Sequence, residues 1–320
     1  MKMQRGEGWA MILCGGDALI DFVPVTQADG AEAFVPRPGG AVLNAATALA
    51  RLGQEVVFVG ALSRDLFGDM LAAHMAREGI DTRLVARTDD DSTLAFVTLA
   101  GGEARYAFYD ETSAGRRLAK MPDLPQADAL HLGSVTLIGE PAAGAYADMA
   151  EAASPHMVVS LDPNCRPTLI RDKHSYCARI ERISAVSHIL RVSDDDFAYL
   201  YGTADEEDVA ARVLAGTTAL FVISRGADGA TAYTRGAKVD LAAQSVALRD
   251  TIGAGDTFHA GMLTALSRAG RLQHAALAGL DDEALRETLT FATAAAALNC
   301  QEMGCSPPPL SAVLGRIGAA

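Results

Sequence analysis

Short apolar runs alternate with helical patterns along nearly all of the 320 residues. Glycine or polar residues bound each run, which is typical of a strand buried in a parallel sheet. Parallel strands need long crossover connections, usually helices. The alternation therefore predicts an α/β fold with a mainly parallel central sheet. The predicted strands are residues 10–14, 56–60, 129–133, 157–161, 188–192 and 219–223.

Polar residues follow directly after several of these strands. In open α/β sheets, ligands bind at the carboxyl ends of the strands, so these endings predict the position of the site. They are Gly15-Gly16-Asp17, Gly133-Ser134, Asp162-Pro163-Asn164, Ser193-Asp194-Asp195-Asp196 and Ser224-Arg225-Gly226.

Two stretches, residues 17–38 and 93–110, interrupt the alternation. Residues 93–109 predict two strands around Gly101-Gly102, which is a hairpin pattern. We predict that both stretches are extra strands that form a small sheet at the edge of one domain spanning residues 1–320. Tyr106 and Phe108 lie on one face of the second hairpin strand, and Arg105 and Tyr109 on the other. This sheet is either an ordinary structural hairpin or a cover over a ligand.

Composition excludes several classes of protein. Lys and Arg number 27 against 40 acidic residues, and no basic cluster is long enough to hold a polyanion, so nucleic acid is not an expected partner. Five cysteines without a C-x-x-C pair indicate reduced thiols and not a disulfide framework or a zinc site. No apolar run reaches the length of a membrane span, and residues 1–10 lack the apolar core of a signal peptide. We expect a cytoplasmic protein with no membrane partner.

The segment 250–256, Asp-Thr-Ile-Gly-Ala-Gly-Asp, predicts an anion-binding turn in front of a helix. Apolar residues recur after it at helical spacing, namely Phe258, Met262, Leu263 and Leu266. The start of a helix offers unpaired N–H groups, and Gly253, Ala254 and Gly255 present no bulky side chain to an approaching anion. Asp256, taken as the first residue of the helix, is either a base for a hydroxyl that attacks phosphorus or a helix cap.

A second glycine-rich stretch, with Gly39 and Gly40, precedes another helix. The buried face of that helix leaves Asn44 on the opposite side, pointing either to solvent or into a cleft. Asp21, which follows the first strand, is equally ambiguous, because a carboxylate in a loop is either simply solvated or part of a site.

Other catalytic motifs are missing from the sequence. There is no G-x-x-x-x-G-K-[ST], no H-R-D and D-F-G pair, no G-x-G-x-x-G after the first strand, no H-E-x-x-H and no G-x-S-x-G. P-loop enzymes, protein kinases, dinucleotide dehydrogenases, zinc peptidases and serine hydrolases are thus disfavoured. His259, three residues after Asp256, is interpreted as structural.

Together, the two glycine-rich stretches resemble the signatures of the ribokinase-like, or PfkB, family of carbohydrate kinases. Gly39-Gly40 with Asn44 is similar to the first signature, and residues 250–256 are similar to the second. Residues 104–110 and 162–167 resemble the fructokinases within the family, although 2-keto-3-deoxygluconate kinases have similar stretches. The resemblance implies a three-layer α/β/α ribokinase-like fold with a small β-sheet lid.

The resemblance also implies an ATP-dependent sugar kinase, with fructose as the favoured acceptor. The alternatives are 2-keto-3-deoxygluconate, another sugar or a nucleoside, and, less favoured, a sugar- or nucleotide-binding protein without catalysis. Asp256 would be the general base, and the backbone of Gly253, Ala254 and Gly255 would hold the phosphoryl group. The residues implied for sugar binding are Asp21, Gly39, Gly40, Asn44, Arg105, Tyr106 and Arg166.

Cofactor sites follow from the same resemblance. The residues implied for ATP and Mg²⁺ are Asn164, Asp196, Ser224, Gly226, Gly229 and Gly304, and those for a monovalent cation such as K⁺ are Asp250 and Ile252. One departure concerns the Mg²⁺ shell, because the family often has Asn-x-x-Glu where this chain has Ser193-Asp194-Asp195-Asp196. An unpaired strand at the edge of the lid could also pair with a second copy of the chain to give a homodimer.

Overall fold

The computed structural model describes residues 9–100 and 103–318, without the side chains of residues 97–106. The strands are β1 (Met11–Gly15), β2 (Leu19–Thr26), β3 (Glu32–Gly39), β4 (Glu55–Ser63), β5 (Asp81–Thr88), β6 (Leu94–Ala100), β7 (Glu103–Tyr109), β8 (Ala129–Gly133), β9 (Val158–Asp162), β10 (Ile189–Ser193), β11 (Leu220–Ser224), β12 (Ala230–Tyr233) and β13 (Lys238–Leu241). The helices are α1 (Ala41–Arg51), α2 (Leu66–Arg77), α3 (Ala114–Arg117), α4 (Ala142–Ala153), α5 (Lys173–Ser184), α6 (Asp194–Tyr201), α7 (Glu206–Leu214), α8 (Ala254–Arg268), α9 (His274–Leu277), α10 (Asp282–Asn299) and α11 (Leu310–Gly318). None of these helices combines the length and the apolar character needed to cross a membrane.

A nine-stranded sheet forms the centre of the molecule, in the order β13-β12-β11-β10-β9-β8-β1-β4-β5. All its strands run in one direction except β12, which pairs antiparallel with β11 and with the edge strand β13. Alternate residues of β1 face opposite sides: Ile12 packs in the core beneath α1, α8 and α10, and Leu13 packs in the core beneath α4 and α5. The predicted mainly parallel sheet is confirmed, and each predicted strand agrees with the observed one to within a few residues.

Sequence patterns missed three strands of this sheet, namely β5, β12 and β13. Strand β5 is an edge strand, with charged residues such as Arg83 and Arg87 along it and no fully buried position. It lacks the apolar run that identifies a central strand. Strands β12 and β13 contain four residues each, too few to show a period.

A four-stranded sheet in the order β3-β2-β6-β7 forms a smaller layer beside the large one. Strands β2 and β6 are parallel, whereas the outer pairs are antiparallel. The extra strands expected in residues 17–38 and 93–110 are these four. The turn predicted at Gly101-Gly102 lies outside the described residues.

Aromatic side chains cover one face of the small sheet. Phe22 and Phe96 stack with their ring centroids 4.5 Å apart, and Phe34 and Tyr109 each meet the Phe96 ring edge-on. Phe34 and Tyr109 are exposed, whereas Phe22 meets Phe67 of α2 edge-on at 5.4 Å, so only the part of this face around Phe34 and Tyr109 is open. Phe108, on the opposite face of β7, lines a cleft between the two sheets.

Helix α8 begins at Ala254, which corrects the prediction that Asp256 is its first residue. The chain turns at Gly253, whose left-handed φ of 74° places its carbonyl in line with the helix axis. The first intrahelical bond then runs from the Thr257 N–H to the Gly253 oxygen over 2.8 Å. Asp256 is therefore inside the first turn, with its side chain anchored by the helix.

The turn at Gly253 yields a stability prediction. A Cβ added there would lie 2.3 Å from the Cys305 Sγ and 2.8 Å from the Cys305 Cβ. Gly253→Ala combines a left-handed penalty of about 1–2 kcal/mol with an overpacking cost of about 1–3 kcal/mol. We expect the free energy of unfolding, measured by urea denaturation, to fall by about 2–5 kcal/mol, the sum of these two costs.

Gly270 at the other end of α8 is the matched control. Its φ is 66°, and nothing lies within 4 Å of an added Cβ. Gly270→Ala should therefore lose only the left-handed penalty of about 1–2 kcal/mol. An equal decrease in the free energy of unfolding in the two variants would show that close packing of Cys305 against position 253 adds no cost.

Candidate active site

A cleft of about 800 Å³ opens where the carboxyl ends of β1, β8, β9 and β10 meet the start of α8. Parallel strands place their carboxyl ends at one edge, so residues far apart in sequence converge there. The sequence-predicted residues among its lining are Asp21, Gly40, Asn44, Asn164, Arg166, Asp196, Ile252, Gly253, Gly255 and Asp256. Among the side chains that the structure describes, a neighbouring cleft of about 920 Å³ contains none of the residues predicted to carry chemistry.

The Asp256 carboxylate is fixed by two side-chain amides. The Nδ2 of Asn44 donates to Oδ2 over 2.9 Å, and the Nδ2 of Asn164 donates to Oδ1 over 3.3 Å. Asn164 has a left-handed φ of 44°, a sparsely populated conformation that often occurs at functional sites. Asn44 therefore faces the cleft and not solvent, which settles the ambiguity that helical periodicity left open.

Burial changes the acidity of this carboxyl group. Asp256 is 8% exposed, and desolvation raises its pKa to about 7, with a further increase from Asp162 and opposing effects from the Asn44 hydrogen bond and Arg166. A carboxyl group that titrates near neutral pH suits proton transfer to and from a substrate.

Two backbone N–H groups at the start of α8 are free to bind an anion. The Ala254 N–H donates to the Thr251 oxygen, and the Thr257 N–H to the Gly253 oxygen. Among the described residues, the N–H groups of Gly255 and Asp256 have no acceptor. Unpaired N–H groups at a helix start, together with the helix dipole, form an anion site beside the Asp256 carboxylate.

Asp21 on β2 and Arg166 place opposite charges in the cleft. Burial, and then the Asp17 carboxylate, raise the pKa of Asp21 to about 6, while Arg166 opposes the rise. A Cβ at position 39 would lie 2.1 Å from the Asp21 Oδ2, so Gly39 provides the space for this carboxylate. Within the described part of the chain, no group donates a hydrogen bond to Asp21, which leaves its oxygens available to a ligand.

Asp17 belongs to the strand ending Gly15-Gly16-Asp17 that predicted the position of the site, but no role was predicted for its side chain. Its carboxylate accepts the N–H groups of Ala41 and Val42 over 3.1 and 3.0 Å and the Ser134 hydroxyl over 3.1 Å. Gly40, with φ 102°, has no side chain to cap α1. Asp17 caps the helix instead and so positions Asn44 one turn further along.

Asp196 lines the cleft, but its carboxylate also holds the backbone. Its Oδ1 accepts the Cys165 N–H over 2.6 Å and its Oδ2 accepts the Ser193 N–H over 3.0 Å, while the Ser193 hydroxyl accepts the Asp196 N–H. Ser193 and Asp196 thus form a capping box at the start of α6. Asp195 beside it is exposed to the cleft.

The residues predicted to bind a monovalent cation form one loop with Gly304. The Asp250 Oδ1 accepts the Ile252 N–H over 3.1 Å, and its Oδ2 accepts the Gly304 N–H over 2.7 Å. The Ile252 oxygen accepts the Asn299 Nδ2 over 2.9 Å. No group of three or more His, Cys, Asp or Glu side chains suited to a metal occurs in the residues that the structure describes.

Three other predicted residues, Ser224, Gly226 and Gly229, lie outside the described lining of the cleft. Ser224 ends β11 beside Ser193 of β10, and Gly226 and Gly229 form the turn that follows. At Gly229 a Cβ would lie 2.0 Å from the Leu241 oxygen, so glycine is required there for packing. Arg105 and Tyr106 belong to β7, and their side chains lie outside the described residues.

Comparison with known proteins identifies the family. A model of the family described as "pfkB family carbohydrate kinase" matches residues 10–312. A fructokinase of Rhizobium leguminosarum bv. trifolii is 42% identical over 86% of this chain and 86% of its own. A probable fructokinase-5 of Arabidopsis thaliana is 34% identical over 93% of both chains.

Solved structures give the same result. The crystal structure of a fructokinase from Xylella fastidiosa with bound ATP superimposes with a TM-score of 0.90 at 31% identity, over 98% of this chain and 99% of the other. The ribokinase-like fold predicted from the two glycine-rich stretches is confirmed. The chain belongs to the pfkB family of carbohydrate kinases.

Proposed function

We propose that the protein transfers the γ-phosphoryl group of ATP to a hydroxyl group of fructose. The observation that carries the reaction type is the Asp256 carboxylate beside the N–H groups of Gly255 and Asp256, which find no acceptor among the residues that the structure describes. The names of the Rhizobium and Arabidopsis relatives support fructose as the acceptor. The bound ATP of the Xylella structure supports the donor.

In this proposal Asp256 accepts the proton of the attacking hydroxyl. The sugar oxygen forms a bond to the γ-phosphorus, the bond from that phosphorus to the bridging oxygen breaks, and ADP leaves with the electron pair. Asn44 and Asn164 hold both carboxylate oxygens, so the base is oriented before the sugar arrives. A positioned base of this kind contributes about 10²–10⁴-fold to the rate.

The N–H groups of Gly255 and Asp256 at the start of α8, which we call the α8 cradle, stabilise charge on the transferred group. Phosphoryl transfer depends mainly on positioning and electrostatics. The N–H groups of Gly255 and Asp256 are fixed by the helix and need no reorganisation when charge develops. By analogy with oxyanion holes, each donor contributes about 3–4 kcal/mol to transition-state stabilisation.

Sugar recognition is assigned to the polar residues around this cradle. Asp21 offers acceptor oxygens to hydroxyl groups, and Arg166, which donates to the Asn164 and Cys165 carbonyls, offers its remaining N–H groups. Gly39 and Gly40 allow the sugar to approach the backbone. Arg105 and Tyr106 complete the proposed set from the small sheet.

Metal ions are assigned by the chemistry of the donor set. Asp195 and Asp196 give the cleft hard oxygen ligands, which fit a Mg²⁺ ion held largely through water and phosphate oxygens. Such an ion would neutralise charge on the ATP phosphates. The Asp250 and Ile252 oxygens retain lone pairs for K⁺ beside the hydrogen bonds they already accept. Ser224, Gly226, Gly229 and Gly304 remain the proposed nucleotide residues.

The small sheet is the proposed lid of a single catalytic domain. Phe108 places its inner face over the cleft, so closure would exclude water that competes with the sugar for ATP. We place the protein in the cytoplasm, where the five free cysteines would stay reduced.

The acceptor is tested by ADP release with Mg²⁺-ATP. The panel contains fructose, 2-keto-3-deoxygluconate, ribose, tagatose, glucose and several nucleosides, each with and without K⁺. We expect the highest kcat/KM with fructose and a higher rate with K⁺. A preferred different acceptor would keep the mechanism and replace fructose, whereas ATP binding without ADP release on any acceptor would indicate a binding protein.

The base is tested with Asp256→Asn and a pH profile. The substitution should leave the circular dichroism spectrum unchanged and lower kcat by about 10²–10⁴-fold, because the amide cannot accept the proton. Since the pKa of Asp256 is raised to about 7, wild-type kcat/KM should increase with pH up to about 7 and then level off. An Asp256→Asn variant with near-wild-type turnover would remove Asp256 from this role.

We further propose a homodimer formed through the outward face of the lid. In the described structure, strands β3 and β7 are the outer strands of the small sheet, and Phe34 and Tyr109 are exposed on them beside the half-buried Phe96. Edge strands and exposed aromatic patches favour pairing with another chain.

Light scattering with size-exclusion chromatography tests this assembly. Phe34 is 43% exposed on the lid, and Leu314, 41% exposed on α11, is the matched control. We expect a dimer for the wild type and for Leu314→Asp, and a monomer for Phe34→Asp. A monomeric wild type would disprove the dimer.

A further inference from the structure

Arg191 is a buried cation in an otherwise apolar strand at the floor of the cleft. Its neighbours on β10, Leu190 and Val192, are fully buried, and Arg191 itself is only 6% exposed. Nevertheless, the side chain reaches the cleft lining beside Gly255 and Asp256. No motif in the sequence assigned it a role.

The guanidinium group is held in place by side chains on the two neighbouring strands. Its Nη1 donates to the Asp162 Oδ2 over 2.7 Å on β9, and its Nη2 donates to the Ser224 hydroxyl on β11. The Phe258 ring lies over the group, with its centroid 5.9 Å away. The cation therefore has one fixed position beneath α8.

This position is directly against the α8 cradle. A Cβ added at Gly255 would lie 3.1 Å from the Arg191 Nη2 and 3.3 Å from Nη1. The guanidinium thus faces the helix turn that carries the unpaired N–H groups of Gly255 and Asp256. Its Nε is buried without a partner among the described residues, so the internal contacts do not use all of its donors.

Charge balance in the cleft favours a cation at this point. The carboxylates that line it are Asp17, Asp21, Asp195, Asp196 and Asp256, whereas the cations are Arg166, Lys173 and Arg191. The ATP phosphates add further negative charge. Burial lowers the pKa of Arg191, but Asp162, Asp196 and Asp256 more than reverse the effect, so the group stays charged.

A structural role alone gives a weak reason for this ion pair. Burying two charges costs several kcal/mol per ion, and apolar replacements of buried pairs are often neutral or stabilising. Here the cation lies where negative charge would develop in the reaction.

We propose that Arg191 is a positioning residue for phosphoryl transfer: fixed by Asp162 and Ser224, it supplies the positive field beneath the α8 cradle and favours the ionised form of Asp256. The proposal rests on the kinase function proposed above. When the sugar oxygen bonds to phosphorus, ADP leaves with the electron pair and Asp256 takes the proton, the transferring group passes over this cation. Arg191 forms and breaks no bond itself.

Steady-state kinetics of Arg191→Gln and Arg191→Lys test the proposal. Arg191→Gln should lower kcat by about 10²-fold, the order found for loss of one preorganised electrostatic group, with the sugar KM nearly unchanged. The rise of kcat/KM with pH should move to higher pH by roughly one unit, because Asp256 loses an opposite charge. The other charged or titratable groups near Asp256, namely Asp17, Asp162, Arg166 and Cys305, remain in the variant. Arg191→Lys keeps the charge and should restore most of kcat and the wild-type pH profile.

Arg51→Gln is the control for a purely structural ion pair. Arg51 pairs with Glu78 over 2.8 Å at the end of α1, away from the cleft. This variant should lose stability and keep both the wild-type kcat and the pH profile.

A double variant covers the case in which Arg191→Gln does not fold. Asp162→Asn with Arg191→Gln removes both charges and retains the shape, which avoids an unpaired buried carboxylate. We expect a folded protein with kcat still about 10²-fold below wild type. A wild-type kcat in the folded double variant would overturn the role of Arg191 without affecting the proposed function. So would a kcat of Arg191→Lys no higher than that of Arg191→Gln. Absence of ADP release by the wild-type protein would overturn the proposed function as well.

Discussion

The turn that begins α8 is the constraint on which the site depends. Gly253 takes a left-handed conformation against Cys305, and the helix starts at the next residue. As a result, the N–H groups of Gly255 and Asp256 have no acceptor in the described part of the chain, and both residues line the cleft. Any residue with a Cβ at position 253 would move this whole arrangement.

Burial of Asp256 lowers the stability of the fold and raises the pKa of its carboxyl group to a value that suits proton transfer. Its raised pKa means that the folded protein binds a proton more tightly than the unfolded chain does. The free energy of unfolding therefore decreases as pH rises from about 4 to about 7, and the cost of the buried carboxylate is fully present above that range. Asn44 and Asn164 offset part of this cost by donating to the ionised form. The part of the cost that is not offset appears as the raised pKa, so that the carboxyl group titrates near neutral pH.

The fold followed from local patterns, whereas parts of the site did not. Central strands such as β8 are continuous apolar runs, so the sequence identified them, but the charged edge strand β5 has no such run. Helical periodicity put Asn44 on the polar face of α1 without showing that Asp256, 212 residues away, lies opposite. Arg191 was counted within an apolar strand because its partner, Asp162, lies on a neighbouring strand that only the folded sheet brings close.

The most direct test of the account is a crystal structure with ADP, Mg²⁺, fructose and aluminium fluoride, which mimics the phosphoryl group in transfer. We predict that the fluoroaluminate binds the N–H groups of Gly255 and Asp256 and that a fructose hydroxyl lies within hydrogen-bonding distance, about 2.6–3.2 Å, of the Asp256 carboxylate. A fluoroaluminate bound away from the start of α8, or a fructose whose hydroxyls do not reach Asp256, would contradict it.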